Sequence, residues 1–227
     1  MSGPVAAGGA PRGVIFDMDG VMVLTEDAHW RAWRAAGESR GVAIAHEVFL
    51  SCFGRVNADC VRVMFGAGVS SVEAERIAEE KERAFRDLVR ADVPLAPGLR
   101  ELLAELRGAG VRMAVGSSAP RANVDLILDA GGLRAFFRAA VDGSQVKRGK
   151  PAPDVFLLAA ERLEVPAGSC VVVEDAPAGI EAAAAAGMRP IGITTTHRAE
   201  QLRSAGAAHI VERLRDVAEL VLRGEPG

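Results

Sequence analysis

Six short apolar runs, each leading into a segment of helical periodicity, constrain the fold of this chain more than any other feature. They are Gly13–Phe16, 111–115, Ala139–Val141, 170–173, 190–193 and, weakly, His209–Val211. Helix-like composition fills 98–108, Arg121–Ala130, 153–163, 178–186 and 200–204. Strands alternating with helices of that size predict crossover units and a parallel sheet covered on both faces. The alternation fails once. Between 26 and 92 no strand pattern occurs, and 27–39, 46–53, Asn57–Phe65 and 71–90 carry apolar residues at three-and-four spacing. Four helices are too many for a simple crossover. They predict an inserted helical unit, bounded by linkers near 23–25 and 93–97.

Composition narrows the function classes. A chain of 227 residues suits one large domain, or a core with a smaller insertion. With 49% hydrophobic and 25% charged residues it has the make-up of a soluble globular protein. A formal charge of −3 argues against a nucleic-acid partner. No apolar run is long enough for a membrane span. Residues 1–11 are rich in glycine and alanine and read as a disordered lead-in, not a signal peptide. Cys52, Cys60 and Cys170 lack metal-type spacing, which suggests a reduced, cytoplasmic protein. Nothing demands more than a monomer.

In an open parallel sheet, ligands collect at the carboxyl ends of the strands. The first strand exits into Asp17-Met18-Asp19-Gly20. Alternation along an extended segment sends Asp17 and Asp19 the same way, with Met18 opposed. Two anions that close require a proton or a cation between them, and a hard ion such as Mg²⁺ suits oxygen donors. The plain alternative is a surface turn. Gly116-Ser117-Ser118 follows the second strand, Gly149-Lys150-Pro151 the third, and Glu174-Asp175 the fourth. Singly, each is an ordinary turn or helix start. Jointly, they suit phosphoryl transfer. One carboxylate can attack phosphorus, and Asp17 with Asp175 can hold Mg²⁺. Lys150 adds a second positive charge, and Ser117 with nearby backbone N–H groups can bind phosphoryl oxygens. Asp19 is placed to protonate the leaving alkoxide and later to take a proton from water.

With those four segments in that order, the chain resembles the haloacid dehalogenase superfamily, in the branch of β-phosphoglucomutase and related sugar-phosphate phosphatases. The resemblance rests on Asp17-Met18-Asp19-Gly20, Ser117, Lys150 within Gly-Lys-Pro-Ala-Pro-Asp, and Glu174-Asp175 before Ala-Pro-Ala-Gly-Ile. It runs from about Arg12 to Val211. It implies a Rossmann-like, three-layer α/β/α core over 1–23 and 95–227, with a helical cap over 24–94. It also implies Asp17 as nucleophile and Asp19 as general acid/base. Mg²⁺ would take the Asp17 carboxylate, the Asp19 main-chain carbonyl and Asp175, with Glu174 close by or through water. Ser117, Ser118 and Lys150 would hold the phosphoryl group.

The cap should select the substrate. His29-Trp30-Arg31-Ala32-Trp33 is similar to a pattern that puts this histidine at the cap–core interface of the mutases, although His29 could equally sit partly exposed beside a packed Trp33. Gly54-Arg55-Val56-Asn57 resembles the loop lowered onto substrate. The mutases carry an arginine where Asn57 stands, and a polar residue and a lysine where Ala119 and Pro120 stand, although Arg121 is near. Those departures favour a hydrolase. Lys81 reads as a solvated helix lysine, and 194–197 as a loop and helix cap. Leu24 replaces a usual acidic residue in the hinge. The resulting expectation is a Mg²⁺-dependent phosphatase of a small phosphorylated metabolite, a sugar phosphate foremost. A phosphosugar mutase and, remotely, a non-catalytic phosphometabolite sensor are the alternatives.

Overall fold

The computed structural model describes residues 12–223, so the lead-in expected over 1–11 lies outside the described residues. Six strands form one parallel sheet: β1 (Gly13–Phe16), β2 (Arg112–Gly116), β3 (Ala139–Val141), β4 (Cys170–Glu174), β5 (Arg189–Ile193) and β6 (His209–Val211). Their order is β3-β2-β1-β4-β5-β6. β1 therefore lies centrally, paired to β2 on one side and β4 on the other. The direction of winding reverses between β1 and β4, which opens a crevice at their carboxyl ends. Every residue of β1 and β4 is buried, the reason these runs are continuously apolar rather than alternating.

Between β1 and β2 come α1 (Glu26–Glu38), α2 (His46–Cys52), α3 (Asn57–Phe65) and α4 (Ser71–Val89). Trp33, Phe49, Phe53, Val61 and Ile77 give these helices a core of their own. Ala32 of α1 and Phe85 and Val89 of α4 turn the other way and join the core beneath the sheet. The two chain crossings run side by side: Leu24 N–H donates to the Pro94 carbonyl (2.8 Å) and Ala96 N–H to that of Met22 (2.9 Å).

The layers on the sheet follow its pleat. Val14 and Phe16 face α5 (Leu99–Gly108) and α6 (Arg121–Ala130). Ile15 faces the opposite layer, where α7 (Asp154–Leu163) and α8 (Pro177–Ala185) pack. α9 (Ala199–Ser204) links β5 to β6. The alternating reading ends at Val211, but α10 (Leu214–Leu222) follows, and Leu214, Val217 and Val221 seal the layer beside α5. Among the described residues no helix is long and apolar enough to cross a membrane.

Candidate active site

Phe16 pairs with Val173, so the next residues on the two central strands, Asp17 and Glu174, emerge side by side. Asp17 N–H still donates to the Val173 carbonyl (3.0 Å), which anchors its backbone to the sheet. Lys150 enters from the segment after β3. Its Nζ donates to Asp17 Oδ1 (2.5 Å) and Glu174 Oε1 (2.7 Å), and its side chain is fully buried. Glu174 Oε2 accepts the Ala176 N–H (2.7 Å). Asp17, Glu174 and Asp175 each offer an oxygen within 4.8 Å of the others. Two glycines make room for this packing. A Cβ at Gly20, whose φ is +82°, would collide with Asp175 Oδ2, and one at Gly179 with Glu174 Oε1.

Three buried acids face one ammonium, and the imbalance shows in their protonation. Burial, only partly offset by Lys150 and reinforced by the charge of Glu174, pushes Asp17 up to about 7. Burial and the charges of Glu174 and Asp17 raise Asp175 well above the usual carboxylate range. Both Asp175 oxygens are buried without a hydrogen-bond partner. A carboxylate in that state is costly unless a cation meets it. A hard divalent ion with oxygen ligands answers both the charge excess and the orphaned oxygens, so the residues present fit Mg²⁺.

Asp19 lines the same cleft as Asp17, as alternation expects, but its carboxylate has other partners. The extended segment ends at Phe16, and the N–H groups of Val21, Met22 and Val23 all fold back onto the Met18 carbonyl. The Asp19 carboxylate is not one of the three clustered acids. Instead Thr25 Oγ1 donates to Asp19 Oδ1 (2.6 Å) and His29 Nε2 meets the same oxygen (3.0 Å). Burial alone would raise the Asp19 carboxyl, but His29 and Thr25 outweigh it and hold it low.

His29 is 6% exposed and stacks on Phe85 with ring centroids 3.8 Å apart, which decides against a partly exposed histidine. Its Nδ1 lies 2.8 Å from Lys81 Nζ. An ammonium only donates, so Nδ1 accepts and Nε2 carries the ring proton toward Asp19. Lys81 is therefore not a solvated lysine. It is 3% exposed and also donates to Glu82 Oε1 (2.8 Å). Glu82, which the sequence reading passed over, accepts further from Asn57 Nδ2 (2.8 Å) and Asn123 Nδ2 (2.6 Å). Burial opposes its ionisation, yet the charge of Lys81 and the hydrogen bonds from Lys81 and Asn123 bring its carboxyl down to about 2. The partners lie on α1, α3 and α6, so the period of α4 alone could not reveal them.

Asp17, Asp19, His29, Arg55, Ser117 and Ser118 line one cleft, with Gly54, Asn57, Lys81 and Glu82 also on its walls. Ser117 N–H is tied to the Val141 carbonyl (2.9 Å), and its Oγ accepts the Ala119 N–H (3.0 Å). Ser118 Oγ is buried without a partner. Arg121 is no part of the cleft: it pairs with Asp125 (3.2 Å) at the surface, because both lie one turn apart on α6. The loop 194–197 does more than lead into α9. The Thr195 hydroxyl donates to the Gly20 carbonyl, and the His197 ring meets the Asp175 carbonyl (3.0 Å). It thereby braces two of the acid-bearing segments.

A parallel sheet of this order, with acids at its switch point and four helices inserted after β1, defines a Rossmann-like α/β fold. The family model for haloacid dehalogenase-like hydrolases matches residues 11–187. A phosphorylated carbohydrates phosphatase from Thermotoga maritima is 33% identical over 205 residues, covering 88% of this chain and 93% of that protein. Protein SUPPRESSOR OF QUENCHING 1 from Arabidopsis thaliana is 37% identical over 214 residues, 90% of this chain, but the match spans only 20% of that longer protein. The crystal structure of β-phosphoglucomutase from Clostridium difficile superposes with a TM-score of 0.83 at 26% identity, covering 91% of this chain and 93% of that one. The chain belongs to the haloacid dehalogenase-like hydrolases, as its motifs imply.

Proposed function

We propose that this protein is a Mg²⁺-dependent phosphomonoesterase that hydrolyses a small phosphorylated metabolite, a sugar phosphate foremost, through an aspartyl-phosphate. The observation that carries this reading is the buried acid triad of Asp17, Glu174 and Asp175 around a single lysine, with Asp17 lining the same cleft as Ser117 and Asp19. Asp17, Asp175 and the Asp19 main-chain carbonyl, with Glu174 beside them, would hold the ion. When bound, Mg²⁺ supplies charge neutralisation at the phosphoryl oxygens.

The chain's own residues carry the steps. An Asp17 carboxylate oxygen attacks phosphorus while the bond to the leaving oxygen breaks, and Asp19, in the protonated form that the second step restores, donates a proton to that oxygen. Water then attacks the phosphorus of the acyl phosphate, giving its proton to Asp19 as the Asp17–phosphorus bond breaks. Lys150 favours the ionised form of Asp17, partly offsetting its burial, and orients it. Ser117 and the unpartnered Ser118 hydroxyl would hold phosphoryl oxygens. The helices over 24–94 act as the cap that closes over this cleft and excludes water.

Phosphate release from a broad panel of phosphorylated metabolites tests the reading. Release that needs Mg²⁺, stops with chelator and disappears in Asp17→Asn supports it; a panel without turnover, or an active Asp17→Asn, overturns it. A mutase is the second reading, favoured by the likeness to β-phosphoglucomutase. Against it, Asn57 stands where a second phosphate would need an arginine, and Glu82 already occupies its amide. Conversion of β-glucose 1-phosphate to the 6-phosphate, given a trace of bisphosphate and yielding no free phosphate, would decide for the mutase.

A further inference from the structure

Glu82 and Asn123 join the inserted helices to the core through one buried hydrogen bond, and nothing in the phosphoryl-transfer scheme requires either of them. Asn123 lies on α6 of the core with no exposure, and its Nδ2 donates to Glu82 Oε2 (2.6 Å). Its Oδ1 accepts from Arg86 NH1 on α4 (2.9 Å), which fixes the orientation of the amide. The other Glu82 oxygen takes Lys81 and Asn57. Lys81 in turn faces His29 Nδ1, and His29 Nε2 faces Asp19. The chain of contacts from Asn123 to Asp19 is unbroken, buried as far as His29, and crosses between α6, α4, α1 and the segment after β1.

Each link has one polarity. Asn123 offers hydrogens to Glu82, so Glu82 must be an acceptor on that side. Glu82 holds Lys81, an obligate donor, so His29 Nδ1 must accept. The ring proton is then directed at Asp19. If the helices lift from the core, Glu82 parts from Asn123 and His29 parts from Asp19, while Lys81 keeps Glu82 and His29 within the insertion.

We propose that Glu82 and Asn123 are positioning residues that tie the general acid/base geometry of Asp19 to closure of the helical insertion. This rests on the reading of Asp19 as general acid/base given under Proposed function. The substitutions Asn123→Asp and Glu82→Gln test it, alone and together. Asn123→Asp sets a carboxylate against Glu82. In the double variant the amide introduced at position 82 donates to the carboxylate introduced at position 123, while the amide oxygen still takes Lys81 and Asn57.

The readout is kcat/KM, which reports steps up to attack by Asp17, for p-nitrophenyl phosphate and for the alkyl phosphate turned over fastest in the panel. p-Nitrophenolate leaves without a proton; an alkoxide does not. Asn123→Asp should lower kcat/KM for the alkyl phosphate at least about tenfold while changing the aryl value less than about threefold. The double variant should recover the alkyl value to within about threefold of the parent. Equal losses on both substrates, or a double variant no better than the single, would overturn the proposal. If Asn123→Asp fails to fold, the double variant's alkyl-to-aryl ratio against that of Glu82→Gln decides in the same way. Asp19→Asn serves as the control: an unchanged alkyl-to-aryl ratio there would instead refute the acid/base reading itself.

Discussion

Two lysines are buried, Lys150 in the core and Lys81 in the helical insertion, and their surroundings differ in one respect. Lys150 faces Asp17 and Glu174 with Asp175 close behind, three carboxylates against one ammonium. Lys81 faces a single carboxylate, Glu82, whose remaining capacity is filled by Asn57 and Asn123. The protonation of the acids records the contrast. Asp17 is pushed up to about 7 and Asp175 well above its usual range, whereas Glu82 is brought down to about 2. Burial penalises every one of these carboxylates; only donors and positive charge reverse it. The first cluster is therefore incomplete as protein and suited to a cation and a phosphoryl group. The second is complete, and suited to holding other groups in place.

The largest effect that could break this contrast lies in the incomplete cluster. Asp17→Asn should cut turnover by about 10⁴-fold or more, since nothing else beside the triad can form the covalent bond. A smaller loss, measured by phosphate release, would mean that Asp17 is not the nucleophile. Asp19→Ala should slow alkyl-phosphate turnover by about 10²–10⁴-fold. Its Mg²⁺ affinity, measured by titration calorimetry, should stay near that of the parent, because its side chain lies with Thr25 and His29 outside the triad. Lost metal affinity would merge the two clusters and void the comparison.

The satisfied cluster is best tested through stability. Glu82→Ala leaves Lys81, Asn57 and Asn123 without their acceptor and should cost about 3–5 kcal/mol in urea denaturation. The effect has a definite pH dependence. The folded-state pKa of Glu82 lies below its ordinary 4.5, so its contribution is present above that value and fades as pH falls toward about 2. That difference corresponds to roughly 3 kcal/mol. The stability gap between the parent and Glu82→Gln should narrow over that window; a constant gap would deny Glu82 its depressed pKa. The smallest effect sharpens the other side. Mg²⁺ at a hundredfold excess over Kd should stabilise the parent by about 2.7 kcal/mol, seen as a higher Tm than in chelator. Asp175→Asn should lose most of that gain.

Much of the site was legible in the chain because it lies at strand ends. Asp17, Ser117, Lys150 and Glu174-Asp175 each follow an apolar run, and parallel strands deliver their carboxyl ends to one edge whatever the detail of packing. Alternation brought Asp17 and Asp19 to one cleft, but it could not say that Thr25 and His29 would take the Asp19 carboxylate. Local spacing served worse for Lys81, whose partner His29 lies on another helix and whose neighbour Glu82 is held by Asn57 and Asn123 from two more. The helical period of 71–90 is clear, but period alone does not tell a lysine in water from one buried against Glu82. Arg121 errs in the opposite direction: near the site along the chain, it pairs along its own helix instead.

By itself, then, the sequence determined the class of fold, the insertion of helices after β1 and which acids gather at the crevice. Apolar runs and their spacing encode burial and period, and those quantities are local. The tertiary structure alone decided that Asp175 is left without a partner, that Asp19 turns to Thr25 and His29, and that Glu82 binds Asn123 across the crevice. Hydrogen bonds and charge balance depend on groups tens of residues apart meeting within about 3 Å, a distance that packing sets and no pattern along the chain records.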